Sequence, residues 1–217
     1  MKYFVKTPWW LKKLYSSYTW SIDTKKKTIY LSFDDGPHPE LTPFVLDELK
    51  KYNAKACFFC IGKNVEQHPD LYRRILEEGH NVGNHTYNHL NGWKTKNDLY
   101  LADVNKAANI IDSDLFRPPY GRITLFQSRN IKDALKKPTA KIIMWDVISG
   151  DFDNGITNED CLQNVILNTV NGSIVVFHDS EKAKHKLQYF LPMVLDFFSK
   201  KGFQFEAIKS FEGIITQ

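Results

Sequence analysis

The sequence predicts an α/β fold built on a mainly parallel sheet, and two observations carry that prediction. From Thr28 onward, apolar β-rich runs alternate with segments of helical spacing, as strands do when helices join and cover them. Five short motifs rich in Asp, His, Arg and Pro fall at or just beyond the ends of those runs, where parallel α/β sheets place their chemistry. The alternation suits a closed barrel and an open doubly wound sheet equally.

The strands are predicted at 28–33, 54–61, 81–83, 115–117, 141–148, 173–177 and 203–208. Helices follow from apolar residues three and four apart: Leu41, Val45 and Leu49; then Tyr100, Val104, Ala107, Ala108 and Ile111; then Leu187, Leu191, Leu195 and Phe198. Thr157-Asn158-Glu159-Asp160 supplies a cap and an acidic first turn for a further helix, while Gly79, Gly172 and Gly202 stand where helices end. No linker, repeat or low-complexity segment interrupts the chain. Its 217 residues are expected to form a single domain at 28–217, with residues 1–27 as an N-terminal segment packed on it.

Composition narrows the class. A formal charge of +4 is small for this length, and no Lys/Arg block interleaved with aromatics follows residue 30. Nucleic acid is therefore not an expected partner. The first twenty residues mix Lys2, Lys6, Lys12 and Lys13 with Trp9, Trp10, Leu11, Leu14, Tyr15 and Trp20. Lys12-Lys13 break the unbroken apolar run that a cleavable signal needs, and no stretch is long enough to span a bilayer. The expectation is a cytoplasmic protein whose Trp9, Trp10 and Leu14 pack on the outside of the domain. Contact of this segment with a membrane surface is the disfavoured alternative.

Cys57-Phe58-Phe59-Cys60 spells a C-x-x-C motif, but it lies in a run that reads as a buried strand. Residues i and i+3 of a strand point to opposite faces, so the two thiols cannot share a metal and are read as core residues.

Chemistry gathers in the five motifs: Phe33-Asp34-Asp35-Gly36-Pro37, His85-Thr86-Tyr87-Asn88-His89, Arg117-Pro118-Pro119-Tyr120, Asp151-Phe152 and Val176-Phe177-His178. Asp34 and Asp35 close the first strand, and neighbours there diverge, so one carboxylate can bind a metal while the other stays free as a base. His85 and His89 are four apart, which a helical turn would place on one side for zinc or a similar ion, with a carboxylate as third ligand. Two prolines after Arg117 hold Tyr120 and its amide in a fixed place, suited to an oxyanion. His178 emerges from an apolar strand as a candidate acid. Asp151 is its expected partner, raising its pKa, and Asp179 is a competitor whose place in the chain points it elsewhere. His38, His68, His80 and His185 are read as surface or packing residues. Together these parts fit metal-assisted hydrolysis.

These motifs resemble those of the polysaccharide deacetylases, carbohydrate esterase family 4, also called the NodB-homology domain. The likeness runs from about Thr28 to Ile208. Ser32-Phe33-Asp34-Asp35-Gly36-Pro37 is similar to the family's T/S-F-D-D-G-P, His85 to His89 to its H-S/T-x-x-H, Arg117 to Tyr120 to R-x-P-Y, and Val176-Phe177-His178 to L-x-H. The resemblance implies a distorted (β/α)7 barrel. It implies Asp34 as general base, Arg117 orienting it, and Asp35, His85 and His89 holding a divalent ion, zinc first and cobalt as the alternative. It further implies that the Tyr120 amide stabilises the oxyanion and that Asp151 tunes His178 as general acid. The implied activity is removal of acetyl groups from N-acetylated amino sugars of a glycan of chitin-oligomer or peptidoglycan type. O-deacetylation of acetylxylan and an inactive glycan-binding domain are the alternatives. The chain departs from the family's D-x-x-D-W, with Ile148 in place of the first Asp and Phe152 in place of Trp.

Overall fold

In the computed structural model, residues 3–209 are described. Lys2 of the basic N-terminal stretch and residues 210–217 of the expected domain lie outside them. The chain runs α1 (Trp9–Leu14), β1 (Thr28–Asp34), α2 (Leu41–Lys51), β2 (Ala56–Cys60), α3 (Gly62–Gln67), α4 (Pro69–Glu77), β3 (Asn81–Asn84), α5 (Asn97–Ala108) and β4 (Leu115–Phe116). It continues with α6 (Leu125–Arg129), α7 (Ile131–Leu135), β5 (Lys141–Ile142), β6 (Val147–Ile148), α8 (Asn158–Asn168), β7 (Ile174–His178), α9 (Lys184–Lys200) and β8 (Gln204–Phe205).

Each pairing between these strands is parallel, and the sheet follows the order β5-β4-β3-β2-β1-β7-β6, with β8 paired to the start of β1. This curled sheet with its outer helices is the (β/α)7 architecture that the resemblance implies. The central strand β1 is buried at all its positions, as expected of a parallel strand covered on both faces. One face packs against the helices through Leu31, Phe33, Phe58, Val175 and Phe177. The other lines the barrel interior with Tyr30, Cys57, Phe59, Leu115, Ile143 and Ile174. Cys57 and Cys60 accordingly fall on opposite faces, both buried and unbridged.

Residues 141–148, predicted as one strand, form two. Between β5 and β6 the carbonyls of Ile143 and Met144 turn to accept from the Arg117 guanidinium at 3.1 Å each, so a buried cation takes acceptors that a continuous ladder would use. The interruption leaves β5 and β6 as the two ends of the sheet path, and the N-terminal segment bonds to both. Thr19 donates its N–H to Ile142 O (2.9 Å) and accepts from Met144 N–H (2.7 Å). At the other end, Thr7 N–H reaches Asp146 O (2.8 Å) and Ile148 N–H reaches Val5 O (2.9 Å). Exposed strand edges invite pairing with other chains, and here one stretch of the same chain occupies both.

Lys6 and Lys12 add ion pairs to the buried Asp146 carboxylate, which also accepts from Ser173. Burial pushes that carboxyl's pKa up, but these partners outweigh it and hold it below the usual range. Trp20 is buried against Ile142 and Met144. The expectation that Trp9, Trp10 and Leu14 pack on the domain is corrected: all three are exposed, Trp9 by 75%. Backbone pairing and the lysines do the anchoring, and α1 buries none of its own side chains. No helix among the described residues is long and apolar enough to cross a membrane.

Candidate active site

Parallel register sets the first pair of groups side by side. Asp34, last in β1, lies opposite His178, last in β7, so their side chains leave adjacent strand ends on the same face. Ser32 shares that face, two residues earlier. Arg117 follows β4 and is fully buried, with 0% of its surface exposed. Its guanidinium donates to Asp34 Oδ1 (2.6 Å), Ser32 Oγ (2.8 Å) and the Ile143 and Met144 carbonyls, and it lies 3.9 Å over the Phe59 ring. A planar cation with donors fixed in this way leaves Asp34 one orientation.

Asp35 diverges from Asp34 because its backbone is left-handed, with φ of 83°. Its Oδ1 lies 3.2 Å from His89 Nε2 and 3.7 Å from His85 Nε2. One ligand atom from each of the three residues falls within 4.8 Å of the others. The donor set fits a divalent ion. His85 Nδ1 sits 2.7 Å from Arg117 O, which only its N–H form can satisfy, so Nε2 keeps a free lone pair toward the cluster. Burial drives His85 down to about 4, which keeps the ring neutral. Burial alone would raise the Asp35 carboxyl, but the hydrogen bond from His89 and the nearby charge of His178 hold it well below the ordinary range.

The turn predicted to join His85 and His89 is not helical. Thr86 and His89 both take left-handed backbone, with φ of 64° and 57°, and a different device holds the loop. Asp103, buried on α5, accepts the N–H groups of Tyr87 and Asn88 at 2.9 Å each and the Asn88 side chain at 2.5 Å. Asn84 caps Thr86 N–H at 2.8 Å, and Thr86 Oγ1 accepts from Leu90 N–H at 3.2 Å. A helix would have satisfied these amides internally, so the carboxylate of Asp103 substitutes for a turn of helix.

Tyr120 also adopts left-handed backbone, with φ of 60°. Its ring packs on His89 at 4.6 Å. Its amide is bonded to no acceptor among the described residues. Opposite this wall, Asp151 is fully buried and grips His178 twice, accepting its backbone N–H at 2.8 Å and facing its ring Nδ1 at 2.7 Å. Burial works against a charged imidazole here, but the Asp151 carboxylate more than compensates and His178 is raised to about 9. The imidazolium is thus the form present near neutral pH. Phe152 packs edge-on to His178 at 5.2 Å, and Tyr3 packs on Phe152 at 5.1 Å.

All eight residues picked out from the sequence therefore gather at one end of the barrel. The polysaccharide deacetylase family matches over residues 21–141. The chain belongs to the polysaccharide deacetylase family. It is 36% identical over 180 residues to a peptidoglycan-N-acetylglucosamine deacetylase of Bacillus cereus, covering 79% of this chain and 62% of that one. A second Bacillus cereus peptidoglycan-N-acetylglucosamine deacetylase is 33% identical, over 88% of this chain and 90% of its own length. Among solved structures, the Bc1960 peptidoglycan N-acetylglucosamine deacetylase superposes with a TM-score of 0.81 at 33% identity, covering 92% of this chain and 93% of that one.

Against the family pattern, Ile148 is a buried strand residue whose register partner is Val176, so this chain has an apolar ladder contact where the pattern has a carboxylate. Two residues that support the site have roles that sequence reasoning did not assign. Asp103 is one; it sits mid-helix with no motif around it. The other is Asp179, which accepts Gly36 N–H at 3.0 Å and the Thr42 hydroxyl at 2.5 Å. Burial raises the Asp179 carboxyl to about 8. A Cβ on Gly36 would come within 2.2 Å of Asp179 Oδ2, so glycine is required where Asp179 clasps the turn.

Proposed function

We propose that this protein hydrolyses the N-acetyl group of an amino sugar within a glycan of peptidoglycan or chitin-oligomer type, using a zinc ion held by Asp35, His85 and His89. The observation that carries the reading is the register pairing of an arginine-locked carboxylate, Asp34, with a carboxylate-paired imidazolium, His178, beside a three-ligand cluster. Two imidazoles and one carboxylate suit zinc, with cobalt an acceptable substitute. When bound, a divalent ion there supplies Lewis acidity toward water and the acetyl carbonyl.

The chain's own residues divide the proton work. Asp34 takes the proton from the attacking water as its oxygen bonds to the acetyl carbon. The Tyr120 N–H donates to the carbonyl oxygen as it gains negative charge. His178 then gives its Nε2 proton to the sugar nitrogen as the carbon–nitrogen bond breaks, releasing acetate and a free amine. Arg117 keeps Asp34 aimed, and Asp151 keeps His178 protonated until that moment.

Acetate release from N-acetylglucosamine oligomers, by protein stripped with chelator and then resupplied with Zn²⁺ or Co²⁺, tests the reading. Release is expected only after resupply. Asp34→Asn is expected to keep its circular dichroism and to lose roughly 10²–10⁴-fold in kcat. Turnover without metal, or an active Asp34→Asn, would overturn the assignment.

A further inference from the structure

Beyond the reacting groups, the segments that follow His89 and Arg117 carry exposed apolar side chains: Trp93 on the first, and Tyr120, Leu125 and Phe126 on the second. Trp93 is 60% exposed and follows His89 in the segment between β3 and α5. That segment is fastened to the one carrying Tyr120. Gly92 N–H donates to Arg122 O at 3.2 Å, and the fully buried Gln127 side chain donates to Gly92 O at 2.9 Å. The approach is close enough that a Cβ on Gly92 would fall 2.4 Å from Arg122 O.

The indole itself is held on two sides. Its Nε1–H donates to Ile123 O at 3.0 Å, and the Arg122 guanidinium lies 4.0 Å over one ring face. With one edge engaged and one face covered, its exposure falls on the opposite face. An indole fixed in this manner loses almost no side-chain freedom when something settles on it. A flat apolar plate of this size suits a partner that is also flat, carries C–H groups on one side and bears hydroxyls around its edge. A pyranose ring has that chemistry. Arg122 lies on the covered face, so it braces the indole plate and leaves the opposite face to the ring.

We propose that Trp93, backed by Arg122, forms a sugar subsite beside the His85–His89 loop, taking a pyranose ring of the substrate chain away from the sugar being deacetylated. The identity of that chain as substrate rests on the deacetylase reading; the binding of a pyranose does not. Two loops that carry His89 and Tyr120 are tied together at the same point, so a ring seated there is in fixed register with the reacting centre. The enzyme should consequently prefer longer oligomers.

The test is calorimetric titration of zinc-loaded Asp34→Asn protein with N-acetylglucosamine oligomers from the disaccharide to the hexasaccharide, with and without Trp93→Ala. Affinity is expected to rise with chain length, and Trp93→Ala to remove about 10-fold for the longer oligomers while changing the disaccharide little. Trp93→Phe, which keeps a ring but loses the Ile123 bond, should retain most of the length effect. Length dependence that survives Trp93→Ala, or no oligomer binding at all, would overturn the subsite. Trp93-dependent binding in a protein whose wild type releases no acetate would uphold the subsite and sink the deacetylase reading instead.

Discussion

The two charged pairs of the site are built from the same kinds of parts and behave differently. Asp34–Arg117 lies inside the barrel, where the guanidinium also meets Ser32, two carbonyls and an aromatic face. Asp151–His178 lies at the rim, with the carboxylate fully buried and the imidazole partly exposed against Phe152. Arginine stays charged at any working pH, so the first pair is a fixed support. Histidine titrates, so the second pair is a proton store whose filling depends on its partner. In the proposed reaction a base needs a constant orientation and an acid needs an available proton; choice of cation and depth of burial would supply each.

Breaking the fixed pair should have the larger consequence. Arg117→Ala leaves a buried carboxylate and two carbonyls without their donor, and is expected to cost about 3–5 kcal/mol in chemical denaturation together with nearly all turnover. If stability fell by less than about 1 kcal/mol, the pair would not be the support argued here. Arg117→Lys should recover only part of the loss, since an ammonium cannot reproduce the fork.

Breaking the titrating pair should shift a pH profile more than a melting curve. His178 is protonated below about 9, so kcat/KM should decline as pH rises through that region. Asp151→Asn removes the charge that lifts it, moving this alkaline limb to lower pH by at least about 1 unit. An unmoved limb would assign the acid to another group. The same raised pKa makes the pair's stabilising contribution complete below the ordinary imidazole value of about 6.5 and lost as pH climbs through the folded value.

A smaller effect sharpens the contrast from the ligand side. Asp103→Asn keeps size but weakens the acceptor for two amides of the His85–His89 loop, and zinc affinity measured by chelator competition should fall about 10–100-fold. Unchanged affinity would show that the loop holds its shape without that carboxylate. The smallest change expected is at Tyr3→Ala. It removes the ring behind Phe152 and should alter KM or the alkaline limb only a few-fold, with Tyr3→Phe restoring most of it. Equal losses in both variants would point to the hydroxyl, which bonds Asp153, and away from the stacking.

Much of this site is legible in the sequence because strand-end chemistry is local. Asp34, Asp35, Arg117 and His178 each follow an apolar run, and a parallel sheet leaves such residues at one end of the molecule. Asp151 is legible too, as the retained carboxylate of a five-residue pattern. The spacing of His85 and His89 suggests a helical turn, and the structure has none, because Asp103 caps the loop from a helix beyond it and makes left-handed backbone at Thr86 and His89 tenable. The split of residues 141–148 is equally invisible in the sequence, since it depends on where the Arg117 guanidinium reaches. Trp9, Trp10 and Leu14 read as packing residues by type, yet α1 turns them outward.

The sequence alone determined the alternation of strands and helices, the order of the motifs and the kinds of group brought to the site, because periodicity and residue chemistry act over a few positions. Only the tertiary structure decided which carboxylate faces which cation, how the His85–His89 loop is held, and how residues 5–19 cover both ends of the sheet path. Those outcomes depend on hydrogen bonds between groups far apart in the chain, such as Thr7 to Asp146 and Thr19 to Ile142. Pairings of that kind leave no periodic trace in the chain, since burial and satisfied polar groups select them only once the barrel has formed.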